Sequence, residues 1–354
     1  MPHRRLSVAV VAPLVAPLID GLPYGNQAFL VDLARGLAWR GHQVTLYCAE
    51  GSRVDDLDVV AVPVPSEARG AFVLKAPEAP PLPAMRAAFA TLFAAVRAGE
   101  HDVVSQHAFD TEAIELAEGL PVLHTLHLPP MVARVVAACR RTAAPLAAVS
   151  RSSQRAWLAA GVATGVLANG VPDRGPERAP VEPVALIAGR ISQEKGTADA
   201  IRLARAACLR PLVVGEAYDA AYHEAEVRPL LGPAELCPPV PRRTLASLMA
   251  RCAVTLAPIR WEEPFGLVVA ESQVAGCPVV AYRRGAMEEV IEDGVSGILV
   301  QPGEEHVFVA AVRRALGLDR DLVRESARRR LLLDASVDAY ERALVAASSS
   351  LHHV

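Results

Sequence analysis

The chain has 354 residues, 52% hydrophobic and 21% charged, with a formal net charge of −3 and a pI near 6.4. That length serves two domains of ordinary size, and the composition is that of a folded chain and not of a disordered one. The near-neutral charge gives no electrostatic basis for binding nucleic acid or an anionic membrane, and no run of about 18 apolar residues offers a transmembrane helix, despite a mean hydropathy of +0.26.

In chain order, His3-Arg4-Arg5 precedes an apolar run over residues 8–19. Pro13 and Pro17 break that run as a helix, so it reads as a buried first strand, residues 7–12, and not as a secretion signal. Residues 27–40 carry Phe29, Leu30, Leu33 and Leu37 at helical spacing, Gly41 ends the helix, and residues 44–48 form the second strand. Residues 62–83 are rich in Pro and Ala, and no ligand is read from them. Strands follow at 102–105, 122–126 and 146–149. Pro172, Pro176, Pro180 and Pro183 mark a linker over 172–183. The pattern then restarts, with strand 184–188, helix 197–208, and strands 211–214, 254–257, 279–281 and 298–300. Two successive α/β halves predict two Rossmann-like domains facing a cleft, with ligands beyond the carboxyl ends of the strands. The six cysteines, Cys48, Cys139, Cys208, Cys237, Cys252 and Cys277, are scattered. They read as reduced thiols of a cytoplasmic protein, with neither a disulfide framework nor a metal site.

Three loops carry candidate chemistry. In Trp261-Glu262-Glu263-Pro264-Phe265-Gly266-Leu267-Val268-Val269-Ala270-Glu271, a loop gives way to a helix running from near Gly266 to Gly276. The unpaired amides of its first turn suit a diphosphate. Glu271 can accept from a ribose diol, and Glu263 can reach a sugar. The plain alternative is a solvated helix start whose glutamates complement the dipole. In Gly189-Arg190-Ile191-Ser192-Gln193-Glu194-Lys195-Gly196-Thr197, two cations of different shape stand beside permissive backbone, an arrangement for a diphosphate leaving group or for an ordinary exposed loop. Only two of the 36 basic residues are lysines, Lys75 and Lys195, which singles out Lys195. Tyr24-Gly25-Asn26-Gln27 offers Gly25 for close phosphate approach but lacks the dinucleotide fingerprint; a lone Gly-Asn is more often a simple turn. His124 and His127 are either satisfied structural histidines or, for His127 at the strand's end, a residue lining the cleft.

Together these segments resemble the retaining glycosyltransferases of family 4, with the GT-B fold. The Glu263–Glu271 spacing inside Glu-Pro-Phe-Gly-Leu, Gly189-Arg190 with Glu194-Lys195-Gly196, Val214-Gly215-Glu216, and the stretch from Gly285 to Gly303 carry the resemblance. Val149-Ser150 with Gln154-Arg155, and Asn169-Gly170-Val171, add to it. The resemblance implies a nucleotide-diphosphate sugar, UDP-linked as a first expectation, held by the second half. Arg190 and Lys195 would bind the diphosphate, Glu271 the ribose and Glu263 the donor sugar, near the backbone of Phe265, Gly266, Leu267 and Val268. Gly189 would lie against the donor, Pro239 and Val240 beside the base, and His127 beside the sugar. No metal or further cofactor is expected, and the acceptor would be a small molecule, a glycan or a lipid. The implied organisation is an acceptor-side domain over 1–171, the linker over 172–183, a donor domain over 184–335, and a helix near 337–347 within 336–354 that returns to the first domain. Where the family often has Gly-Gly and then Glu in its first loop, this chain has Tyr24 and Gln27. A sugar-nucleotide epimerase and a non-catalytic sugar-nucleotide-binding protein are the alternatives, separated by product analysis without acceptor and by turnover.

Overall fold

The computed structural model describes residues 4–21, 25–68, 82–174, 179–232 and 235–349. Tyr24, Lys75, Pro176 and most of the Pro/Ala-rich stretch lie outside the described residues. The chain forms two compact units. The first comprises residues 1–20, 26–169 and 333–354, and the second comprises 21–25 and 170–332.

The first unit runs β1 (Ser7–Val11), α1 (Gly25–Trp39), β2 (Gln43–Ala49), β3 (Asp58–Val62), α2 (Pro83–Ala98), β4 (Val103–Gln106), α3 (Thr111–Glu115), β5 (Val122–Leu126), α4 (Ala133–Arg141), β6 (Leu146–Ala148), α5 (Arg151–Ala159) and β7 (Gly165–Val166). All pairings are parallel, in the order β3-β2-β1-β4-β5-β6-β7. Gly25 therefore opens α1 and does not stand in a preceding loop. The helix thus starts two residues before the expected Gln27; nothing in Gly-Asn-Gln announces an early start.

The second unit runs β8 (Glu182–Ala188), a 3-10 turn (Gln193–Lys195), α6 (Thr197–Ala206), β9 (Arg210–Val214), α7 (Ala220–Tyr222), β10 (Leu236–Cys237), α8 (Arg242–Arg251), β11 (Cys252–Ala257), α9 (Leu267–Val274), β12 (Val279–Tyr282), α10 (Met287–Val290), β13 (Gly297–Val300), α11 (Glu305–Ala315) and α12 (Arg320–Leu331). Its six strands are also parallel, in the order β10-β9-β8-β11-β12-β13. Successive side chains of a strand point to opposite faces. Along β8, Ala185 and Ile187 pack with Ile201 of α6 and Phe308 of α11. Val184 and Leu186 pack on the other face with Leu245 and Met249 of α8. Both faces are thus covered, and the strand is apolar almost throughout, as a buried parallel sheet requires.

The last helix, α13 (Leu333–Ser349), belongs to the first unit. Its buried Tyr340 lies against Phe29 of α1, with ring centroids 5.8 Å apart. The Leu6 N–H donates to His42 Nδ1 at 3.2 Å, so the ring proton sits on Nε2 and is donated to Glu341 Oε1 at 3.1 Å. Arg40 Nη1 donates to Glu341 Oε2 at 2.9 Å. These contacts fasten α13 to the corner between α1 and β2.

Candidate functional site

In a doubly wound sheet, strand order reverses where neighbouring strands send their connections to opposite sides, and a crevice opens at their carboxyl ends. In the second unit that point falls between β8 and β11. The loop after β8 carries Gly189 to Gly196, and the loop after β11 carries Pro258 to Gly266. The two are tied main chain to main chain, because the Arg260 N–H donates to Glu194 O at 2.8 Å.

The fold brings Lys195 and Glu263 together across that junction. Lys195 Nζ donates to Glu263 Oε2 at 2.5 Å, and Trp261 Nε1–H donates to the same oxygen at 2.5 Å. The Glu263 side chain is 9% exposed, and Lys195 is 23% exposed. A buried carboxylate without donors would be costly; two donors offset that cost. Gly285 holds the loop from behind. Its φ is +60°, and a Cβ there would lie 2.3 Å from the Glu263 N, so only glycine lets the two segments meet. The Ala286 N–H then donates to Glu263 O at 2.9 Å.

Phe265 is buried, and Gly266 precedes α9. The first ladder bond of α9 runs from the Ala270 N–H to Gly266 O, so the Leu267, Val268 and Val269 amides stand ahead of the ladder at the positive end of the helix. The predicted helix limits of 266 and 276 contract to Leu267–Val274. Arg190 lies with its guanidinium carbon 4.6 Å from the Tyr218 ring centroid and Nη2 3.5 Å from Glu194 Oε1. The Gly189 N–H donates to Val214 O at 3.0 Å, which joins the Gly189-Arg190 and Val214-Gly215 segments at adjacent strand ends.

Glu271 stands apart from this pair, on α9 facing α8. Arg242 donates to its Oε1 from Nη2 at 2.6 Å and from Nε at 3.2 Å. Both line a small pocket with Pro172, Leu245, Met249 and Val274. Pro239 and Val240 lie between β10 and α8, and Val240 packs against the core of that side. The sequence reading gave Arg242 no role. Its signal was the spacing of 242 to Leu245, Ala246 and Met249, which puts an arginine on the buried face of α8.

His127 lies in the first unit, just beyond β5. It is buried, with its Nε2 2.9 Å from His107 Nδ1, and His107 Nε2 is 2.8 Å from Ser105 Oγ. Phe29 covers it edge-on at 6.0 Å. The expectation of a histidine lining a cleft thus meets a ring enclosed in a hydrogen-bonded chain after β4 and β5. Burial lowers the His127 pKa to about 4, so the ring is neutral near pH 7.

The family description "Glycosyltransferase Family 4" matches residues 25–174, and "Glycosyl transferases group 1" matches residues 173–330. A D-inositol 3-phosphate glycosyltransferase from Acidothermus cellulolyticus is 29% identical over 91% of this chain and 85% of its own length. One from Thermobifida fusca is 36% identical over a shorter stretch, 29% of this chain and 25% of that relative. Among solved structures, sucrose-phosphate synthase from Thermosynechococcus elongatus has a TM-score of 0.76 at 17% identity, covering 97% of this chain and 100% of that one. Anabaena HepE, solved with UDP and glucose, has a TM-score of 0.73 at 20% identity, covering 96% and 100%. With both halves matched in succession and the two-sheet GT-B architecture in place, the chain belongs to the group 1 glycosyl transferases of family 4.

Proposed function

We propose that this protein is a retaining glycosyltransferase that moves a sugar from a UDP-sugar to the hydroxyl of a small molecule, glycan or lipid, without a metal ion. The observation that carries the reading is the Lys195–Glu263 pair at the reversal point of the second sheet, beside the first amides of α9. Lys195 and Arg190 neutralise the diphosphate, helped by the Leu267 and Val268 amides. Glu271 accepts from the ribose hydroxyls, with Pro239 and Val240 near the base. Glu263 accepts from hydroxyls of the donor sugar. The Anabaena HepE complexes with UDP and UDP-glucose support uridine as the base.

In the reaction the anomeric C–O bond to the β-phosphate breaks as the acceptor oxygen bonds to the same carbon from the same face. The acceptor's proton passes to the departing phosphate oxygen. Positive charge grows on the sugar ring and negative charge on the diphosphate. Glu263 stands for the first, and Arg190 and Lys195 for the second. Gly25 and Gly189 are assigned to close backbone approach. A cytoplasmic setting fits the six cysteines, all of them free thiols. Among the described residues no helix is long and apolar enough to cross a membrane.

Thermal-shift measurement against a panel of nucleotide sugars tests the reading. A UDP-sugar is expected to raise the melting temperature most; no response to any nucleotide sugar would contradict it.

A further inference from the structure

We propose that Trp261 is a positioning residue for Glu263. Its indole N–H fixes Oε2, so that Oε1 is the oxygen presented to the donor sugar. This rests on the reading of Glu263 as the sugar's carboxylate.

Among the described residues both donors to the Glu263 carboxylate, Lys195 Nζ and Trp261 Nε1–H, bond to Oε2, each at 2.5 Å. A carboxylate has room for about four hydrogen bonds, and two donors on one oxygen leave the other oriented toward what enters the site. The two donors differ in kind. Lys195 is a flexible point charge whose assigned partner in the loaded site is the diphosphate. An arriving diphosphate therefore competes with Glu263 for the ammonium. The indole N–H is donor-only, carried on a rigid ring, and makes no such second demand. It keeps the buried carboxylate satisfied and in place while Lys195 is shared. The ring is itself restrained, with Lys195 Nζ 5.5 Å from its centroid, Arg260 bound through its amide to Glu194 O, and Gly285 close against the Glu263 backbone.

The decisive variant is Trp261→Phe, which keeps an aromatic ring, removes the indole N–H and trims the ring; the comparison of UDP with UDP-glucose separates the lost donor from the general loss of packing. The probes are UDP, which lacks the sugar, and UDP-glucose, each titrated calorimetrically into the full chain. Trp261→Phe is expected to weaken UDP-glucose by about tenfold, in line with one charge-assisted hydrogen bond, and to change UDP by less than about twofold. Glu263→Gln should show the same selectivity. The double variant should bind UDP-glucose no more than about twofold worse than Glu263→Gln alone, because the indole acts through the carboxylate. Wild-type affinity in Trp261→Phe, or equal weakening of UDP and UDP-glucose, would overturn the assignment. If Glu263→Gln weakens UDP-glucose and Trp261→Phe does not, the role of Trp261 fails alone. If Glu263→Gln binds UDP-glucose unchanged, or the wild type does not bind it, the reading of Glu263 fails and the proposal with it.

Discussion

Glu263 and Glu271 lie on one short stretch of chain, yet the protein surrounds them differently. Glu263 meets an ammonium and an indole at the sheet's reversal point, whereas Glu271 meets a buried arginine on the α8 side. Their assigned roles predict different failures. Contacts to the ribose are alike in ground and transition states, so Glu271→Gln should mainly raise the donor KM. Contacts to a sugar gaining positive charge tighten as the reaction proceeds. Glu263→Gln should therefore lower kcat, by roughly ten- to a thousand-fold, beyond its loss of ground-state donor binding. Steady-state kinetics with varied donor are the check; a kcat effect confined to Glu271→Gln would reverse the roles. The two glutamates, Lys195 and Arg190 were legible because their spacing and neighbours are local. Their partners were not. Lys195 lies 68 positions from Glu263, and Arg242 lies 29 from Glu271, and only folding brings them into contact.

At the scale of elements, the strands that carry the site stood out as apolar runs, since both of their faces are covered. The elements that sequence alone passed over have physical reasons. β7 and β10 are two residues long, set by a neighbour's pairing and not by their own composition. β3 is an edge strand with only Val62 buried, and its short apolar run, Val59 to Val62, leads straight into Pro63 at the start of the Pro/Ala-rich stretch. α2 begins at Pro83, where the Pro/Ala-rich stretch stops, and buries Met85, Phe89, Leu92 and Val96 at helical spacing. The returning helix was expected near 337–347 and extends over Leu333–Ser349, with α1 close enough that a Cβ on Gly36 would lie 2.5 Å from a Val337 methyl carbon. Glu341 holds this junction through His42 and Arg40. Glu341→Ala leaves the enclosed His42 N–H without an acceptor and should cost about 1–3 kcal/mol, whereas Glu341→Gln keeps an acceptor and should cost less. Denaturant midpoints of the two variants test this, and equal midpoints would show that the Oε1–His42 bond contributes nothing.

For the molecule as a whole, the alternation of strands and helices announced two parallel α/β units, while strand order and the reversal points appeared only in three dimensions. The first unit also sets an acid limit. Burial lowers His124 and His127 to about 4 and pushes His107 well below its ordinary value, whereas the unfolded chain takes up these protons near pH 6.5. Between those values the unfolded state binds more protons, so stability falls as pH falls. Asp110 acts oppositely: burial and the neighbouring Glu112 raise it to about 7 against the pull of Arg134, so its stabilising proton is lost as pH rises toward 7. Three histidines outweigh one aspartate, and the denaturation midpoint should be lower at pH 5 than at pH 7. Asp110→Asn should steepen that fall, and a midpoint that rises on acidification would contradict the assignment. With Arg190 and Lys195 assigned to the diphosphate, chelation by EDTA should leave turnover nearly intact; activity abolished by EDTA and restored by manganese would refute metal independence. The most direct measurement is proton NMR of the freshly formed glycoside, made from a nucleotide sugar of known anomeric configuration. Same-face transfer predicts a product with the donor's configuration, and an inverted linkage would contradict the account.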